Sequence, residues 1–370
     1  MNIHDLIARR ACTSAIPPAP LPQALRDQRL NRANMHRPLV SLIVTSYNYE
    51  SYIEECLRSV TRQTYDNWEC IIVDDQSTDS TVDRVRAFMQ TPEANGRFRL
   101  IEGQENRGQM EAFREGLTVA SGSFVVLLDA DDVLLDDFLE AHMHAHLSVA
   151  TVAFTSSNQY QINGAGEIIG GQHMDHQSKG YYRHVRKTTF QRGFWIWATS
   201  SSMVYRRSTV DLIMPRDGAT FRICADYYIA HFCHLIGDSL LIPSVHGCYR
   251  RHGANNFGSN PVFGNINSVG NLDKHPPHDL FRMTMIRHIL GNYDLFYPIY
   301  MGPGLIRLVL RMIKPRELPN LVARYPAVFK RPLRHYLWLA AKMQWEKWRT
   351  PVSEKFKILS VPTAEELFVK

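Results

Sequence analysis

The amino-acid sequence predicts an α/β fold: a Rossmann-like, mostly parallel sheet flanked by helices, with an amphipathic helical appendage at the C-terminus. Three observations predict it. Between residues 39 and 137, short β-branched runs alternate with segments of helical periodicity, the pattern of strands joined by crossover helices. The fourth run, Phe124 to Leu128, is apolar on both faces, as a strand covered on two sides must be. Polar residues gather just after the runs, where the loops of a parallel sheet are free of the core.

Taken in order, Leu39 to Thr45 reads LVSLIVT, a strand. Tyr52, Ile53, Leu57 and Val60 recur at helical spacing, and Trp68 to Val73 (WECIIV) is the second strand. The cluster Ser77-Thr78-Asp79-Ser80 opens a helix that carries Val82, Val85 and Phe88 on one face. Phe98 to Ile101, Gln109 to Ala120 and Phe124 to Leu128 (FVVLL) follow as strand, helix and strand. Beyond Ala150 the alternation decays. Val152 to Ser156 and Val245 to Tyr249 read as strands, Asn163-Gly164-Ala165-Gly166-Glu167 as a hairpin turn, and Cys224 to Ala230 as a helix start with Ile229 and Phe232 inward. The basic stretch from Met174 to Gly193 reads either as a loop over an anionic ligand or as solvated surface.

The 370 residues are 45% hydrophobic, 11% aromatic and 21% charged, which supplies a globular core and excludes collagen-like, disulfide-scaffold and disordered classes. The net charge of +6 is unevenly spread: from Met301 to Lys370, fourteen Lys and Arg stand against five Asp and Glu. The expected organisation is an extended N-terminal lead-in (1–38), an alternating half (39–150), a second half (151–265) and a basic helical C-terminal region (266–370). Six cysteines without a C-x-x-C pair suggest a reducing compartment. No run of about eighteen apolar residues spans a membrane, and the N-terminus has no signal-like segment. The expected location is cytoplasmic, at the inner face of a membrane. Arg307, Arg311 and Lys314 form a stripe beside Leu305, Ile306, Leu308 and Val309, and a second basic segment, Arg334 to Arg349, carries Trp338, Trp345 and Trp348. Residues 301–350 therefore read as helices lying in an anionic membrane interface, or as helices packed on the protein with charges outward. No nucleic-acid-binding motif accompanies the charge.

Four polar clusters follow the four strands: Thr45-Ser46-Tyr47-Asn48, Asp74-Asp75-Gln76-Ser77, Asn106-Arg107-Gly108 and Asp129-Ala130-Asp131-Asp132. A D-x-D tripeptide alone also fits a turn or a helix N-cap. Three carboxylates in four residues at a strand end suit a divalent cation, which relieves their repulsion.

On these residues, Leu39 to about Asp137 resembles the nucleotide-sugar-binding half of glycosyltransferase family 2, inverting and metal-dependent sugar transferases of GT-A fold. The resemblance makes 39–150 the nucleotide-sugar-binding half and 151–265 the acceptor-binding half. It implies that Thr45 and Tyr47 lie against the nucleoside, that Asn48 shapes the first loop, and that Asp75 hydrogen-bonds the base, commonly uracil. Asn106 and Gly108 would lie where backbone approaches the nucleotide or donor sugar. Asp131 would bind the Mn2+ or Mg2+ that bridges the diphosphate, with Asp129 at the ribose or the metal's water shell. Asp226, in the first turn of its helix, would be the general base that deprotonates the acceptor hydroxyl; the family more often has Glu-Asp where this chain has Ala225-Asp226. An Asp there also simply favours the helix macrodipole. Tyr249-Arg250-Arg251-His252 matches a closing motif in which His252 approaches the metal or diphosphate and Arg250 or Arg251 neutralises phosphate; a basic loop is the plain alternative.

The resemblance thus implies transfer of a sugar, most often from a UDP-sugar, to a glycan or lipid-linked glycan hydroxyl in polysaccharide or glycoconjugate biosynthesis. The other readings are a sugar-1-phosphate nucleotidyltransferase, although Thr45-Ser46-Tyr47-Asn48 lacks the Gly and Arg of a triphosphate loop, and a catalytically inactive donor-binding membrane scaffold. Trp195 and Trp197, one residue apart, would face the same side of a strand and stack on a sugar ring or fill the core. Thr199, Ser200 and Ser201 stand as acceptor-side candidates. His142 and His146, at i and i+4, lack a third metal ligand and read as an exposed polar helix face. His231 and His234 likewise lack a partner pair at metal spacing.

Overall fold

The computed structural model describes residues 2–12, 37–148, 152–171, 176, 182–187, 195–252, 277–300 and 303–330. Two compact units divide the chain, Met1–His288 and Ile289–Lys370. The first opens with helix α1 (Ile3–Cys12) and then the alternating series: β1 (Val40–Ser46), α2 (Ile53–Thr61), β2 (Trp68–Asp74), α3 (Thr81–Met89), β3 (Phe98–Glu102), α4 (Gln109–Val119) and β4 (Phe124–Asp129). Strands β3, β2, β1 and β4 lie side by side and all parallel. β1, β2 and β4 are buried on both faces, whereas β3, at the sheet edge, leaves Arg99 and Glu102 exposed. On one face Leu42, Val44, Ile72 and Leu128 pack with Ile53, Leu57 and Val60 of α2. On the other, α4 presses so close that a Cβ on Gly116 would lie 2.4 Å from Ile43 Cγ2.

After β4 the chain makes β5 (Val133–Leu134), α5 (Phe138–Ser148), β6 (Val152–Asn163), β7 (Ile168–Gly170), β8 (Arg183–Val185), β9 (Met203–Arg206), α6 (Arg207–Ile213), α7 (Ala225–Ile236) and β10 (Asp238–Arg251). These strands extend the sheet in the order β3-β2-β1-β4-β9-β6-β10-β5, with β7 on β6 and β8 on β10. Antiparallel pairing of β9 with both β4 and β6 explains why the regular alternation fades beyond residue 150. Strand β6 runs seven residues past the expected five; its polar Thr155 to Gln159 are fully buried, and Thr155, Ser156 and the Gln159 carboxamide oxygen take partners inside the protein. Strand β10 runs fourteen residues across Pro243, whose missing donor falls where the register with β6 shifts between Ile242 and Val245.

The lead-in differs from the expected extended chain: Ile3–Cys12 is helical. Ile3 N donates to Gly166 O at 2.9 Å, and Ile3 and Leu6 pack with Val133, Leu135, Ile162, Val245 and Cys248. Residues 13–36 lie outside the described residues, as does most of 174–193. Cys56, Cys70, Cys224, Cys233 and Cys248 are buried free thiols.

The histidines of α5 correct the expected exposed face. His142 and His146 are fully buried, because α5 lays this side on the sheet: His142 Nδ1 meets Thr155 Oγ1 at 2.6 Å and His146 Nε2–H donates to Val204 O at 2.8 Å. Burial holds His142 well below the usual histidine range, lowers His146 to about 3 and, in α7, lowers His234 to about 4. The native rings stay neutral while the unfolded chain takes up protons below about pH 6.5, so stability present above that pH is lost as pH falls toward the native values. Each such ring should remove about 1.4 kcal/mol per pH unit in that window. Urea midpoints should therefore drop steeply from pH 7 to pH 5, less so in His146→Gln; a flat profile would show that the native rings protonate freely.

In the second unit, α8 (His278–Gly291), which begins in the first, is followed by α9 (Tyr293–Phe296), α10 (Pro303–Met312) and α11 (Leu318–Arg324). Leu305, Ile306, Val309 and Met312 of α10 are buried, and Arg307, Leu310, Arg311 and Lys314 are exposed. The stripe is therefore a charged outer face whose apolar side is already covered. The tryptophan-bearing segment 334–349 lies outside the described residues. Among the described residues no helix is long and apolar enough to cross a membrane.

Candidate active site

The loops after β1 and β2 are stapled together. Asn48 turns at φ 60°; its carboxamide oxygen accepts from Thr78 N at 2.7 Å, and its own N donates to Ser77 Oγ at 2.9 Å. This leaves Tyr47 45% exposed at the rim, while Thr45 is buried opposite Asp129 in the β1–β4 register. Asp74 is consumed by its own turn, accepting from Ser77 N at 2.8 Å and Ser77 Oγ at 2.5 Å.

Asp75 ties the second loop to the third. Its carboxylate oxygens accept from the backbone N–H groups of Arg107 and Gly108, each at 2.7 Å. Asn106 N donates to Gln76 Oε1 at 3.2 Å, and the Arg222 guanidinium donates to Asn106 O at 2.9 Å and to its Oδ1. Gly108 sits at φ 91°, and a Cβ there would fall 2.5 Å from Arg222 Cα. The chain leading into α7, passing directly over this position, accounts for the glycine.

The turn after β4 gathers three carboxylates. Asp129 Oδ1 accepts from Gln109 Nε2 at 2.9 Å and Oδ2 from Ser200 Oγ at 2.7 Å, while its backbone N donates to Ser201 Oγ at 3.1 Å. Asp131 Oδ2 lies 3.0 Å from His252 Nε2, and both side chains are largely buried. Asp132 Oδ1 accepts from Arg250 N at 2.8 Å. Burial first, then the neighbouring Asp131, pushes the Asp129 carboxyl up to about 7 and Asp132 well above the usual range. The donors answering Asp129 are neutral amide and hydroxyl groups, whereas Asp131 meets His252 and the Arg250 guanidinium lies on the Asp131 carbonyl. A divalent cation fits the carboxylate oxygens of such a turn. Among the described residues no group of three or more His, Cys, Asp and Glu is arranged around one metal point.

Asp226 lies in the first turn of α7, just after Cys224, which enters the helix in left-handed conformation at φ 59°, ψ 34°. Gln109 links this helix start to Asp129: its Nε2 donates to Asp129 Oδ1 at 2.9 Å and its Oε1 accepts from Ala225 N at 3.2 Å. Tyr49 and Tyr52 flank His252, with ring centroids 6.0 and 4.7 Å away.

Arg250 corrects the phosphate-neutralising expectation. It is 1% exposed; its guanidinium donates to Asp131 O at 2.8 Å, to Glu55 Oε2 at 2.5 Å and to Asn163 O and Gly164 O at 3.2 and 3.3 Å. Arg251 is also buried and donates to Gln161 Oε1 at 3.0 Å. Both point into the protein because β10 continues through them as an interior strand. Trp195 and Trp197 lie in irregular chain, not in a strand: Trp197 is core, donating from Nε1 to Ser239 Oγ, and Trp195 stacks on Tyr227 at 5.6 Å. The hydroxyls of Thr199, Ser200 and Ser201 serve Gln159 and Asp129. Gln109 carries no sequence signal, since only the fold brings it to both Asp129 and α7.

Residues 41–210 match the family model described as "Glycosyl transferase family 2". The chain is 30% identical over 223 residues to an uncharacterized glycosyltransferase of Nostoc sp., covering 59% of this chain and 66% of that one. It is 35% identical over 132 residues, 36% of this chain and 49% of the relative, to an Escherichia coli protein named UDP-Glc:alpha-D-GlcNAc-diphosphoundecaprenol beta-1,3-glucosyltransferase. The chain spans about half to two thirds of the length of the first curated relatives it matches. Among solved structures, S. aureus TarS in complex with UDP-GlcNAc aligns with a TM-score of 0.50 at 16% identity, over 77% of this chain and 78% of that one, a likeness of fold.

Proposed function

The chain belongs to glycosyl transferase family 2 through residues 41–210, and from that premise we propose that it transfers a sugar, with inversion, from a nucleoside-diphosphate donor to a hydroxyl of a glycan or lipid-linked glycan. What supports this reading is the carboxylate turn Asp129–Asp132 at the carboxyl end of parallel β4, joined through Gln109 to the start of the helix that carries Asp226. The Escherichia coli relative, named for a UDP-sugar donor and a diphosphoundecaprenol acceptor, supports a UDP-sugar and a lipid-linked acceptor.

In this reading Thr45, Tyr47 and the stapled Asn48 turn form the nucleoside side. Asp75 faces the base with the lone pairs its two backbone donors leave, and Asn106 and Gly108 shape the adjoining backbone. Asp131 and His252, with Asp129 beside them, would hold magnesium or manganese, whose chemistry is to neutralise charge developing on the leaving diphosphate. Asp226 takes the acceptor hydroxyl proton as the oxygen attacks the anomeric carbon from the face opposite the diphosphate. A helix N-terminus favours the ionised carboxylate that this step requires.

The test is a panel of nucleotide sugars with manganese, read as nucleoside diphosphate release. One donor should turn over, and Asp131→Ala should lose the manganese response and bind that nucleoside diphosphate at least tenfold more weakly. A variant as metal-responsive as the parent would remove Asp131 from the metal. Pyrophosphate release from a nucleoside triphosphate and a sugar 1-phosphate would favour a nucleotidyltransferase instead.

A further inference from the structure

We infer that Gln109 is a positioning residue that couples the donor carboxylate to the helix bearing the general base. Its carboxamide reaches both sides of the site at once: Nε2 donates to Asp129 Oδ1 at 2.9 Å, and Oε1 accepts from Ala225 N at 3.2 Å, the residue before Asp226. The backbone reinforces this span, because Gln109 N donates to Arg222 O at 2.9 Å and Gly108 lies against Arg222 Cα. Ala225 N is one of the free N–H groups of the first turn of α7, and Cys224 offers no side-chain cap. A side chain from α4 thus completes the start of α7 and, with the same amide plane, orients Asp129. A displacement of one ångström between base and reacting carbon is enough to slow a displacement reaction strongly, so a bridge that fixes α7 against the donor turn acts on the chemical step more than on donor affinity.

The inference rests on the general-base reading of Asp226, and the experiment separates the two. Gln109→Met preserves length and removes both hydrogen bonds. With the best donor of the panel, it should lower kcat about tenfold or more while the donor KM stays within about threefold, with a thermal midpoint near that of the parent. In an Asp226→Asn background the same change should cost less than about twofold, because no base remains to be aligned. Gln109→Lys, which keeps a donor for Asp129 and loses the acceptor for Ala225, should behave like Gln109→Met. An unchanged kcat, an equal loss in both backgrounds, or a loss confined to KM would overturn the coupling while leaving the base assignment standing. Full activity in Asp226→Asn alone would overturn the base reading and the coupling with it.

Discussion

Asp226→Asn is expected to lower kcat by about 10²- to 10⁴-fold, the range of a positioned general base, while affinity for the nucleoside diphosphate stays within about twofold. The substitution is nearly isosteric and keeps an oxygen that can accept from Tyr227 N, as Asp226 Oδ1 does at 2.8 Å. The helix start should therefore survive, and only the capacity to take a proton is lost. The neighbour is Ala225, so no adjacent carboxylate can substitute. The readout is single-turnover product formation set beside isothermal titration of the nucleoside diphosphate. Retained turnover would place the base elsewhere, and a parallel loss of diphosphate binding would recast Asp226 as part of the donor pocket.

The parallel half was legible because β1 and β4 are buried on both faces, so LVSLIVT and FVVLL stand out as short, largely apolar and β-branched runs. The motif turns were legible for the complementary reason: loops beyond such strands must be polar. What escaped notice are features whose cause is tertiary. The polar Thr155 to Gln159 read as a strand ending, although they are part of a central strand in which Thr155, Ser156 and Gln159 meet His142, Ser202 and Thr199. His142 and His146 are polar at i and i+4 and read as surface, although α5 buries them on Thr155 and Val204 O. The first ten residues carry few apolar side chains, yet Ile3 and Leu6 suffice to anchor a helix once β7 and β10 supply a surface. The site divides in the same way. The carboxylates announced themselves by density, whereas Gln109 is an ordinary helix residue until α7 is folded against it.

Arg250→Met should reduce the unfolding free energy by about 3–5 kcal/mol, the cost of removing one partner from a buried ion pair. That is a large share of the roughly 5–15 kcal/mol that holds a domain folded. Glu55 would lose its 2.5 Å partner, and the carbonyls of Asp131, Asn163 and Gly164 would lose their donors together. The side chain also lies over the Tyr52 ring at 4.9 Å, and Tyr52 in turn flanks His252. Arg250 thus ties the carboxylate turn at Asp131 to the Asn163–Gly164 turn and to Glu55, and its loss should loosen His252 and Asp131 as well as the fold. Arg250→Lys keeps the charge but cannot spread donors across Glu55 and three carbonyls, so it should fall between parent and Met. Denaturant titration of both variants, beside diphosphate binding measured at a temperature where each remains folded, decides between two roles. A phosphate-binding arginine predicts weakened binding with unchanged stability. The buried strut predicts lost stability for Met and partial recovery for Lys, and the 1% exposure of this side chain favours the strut.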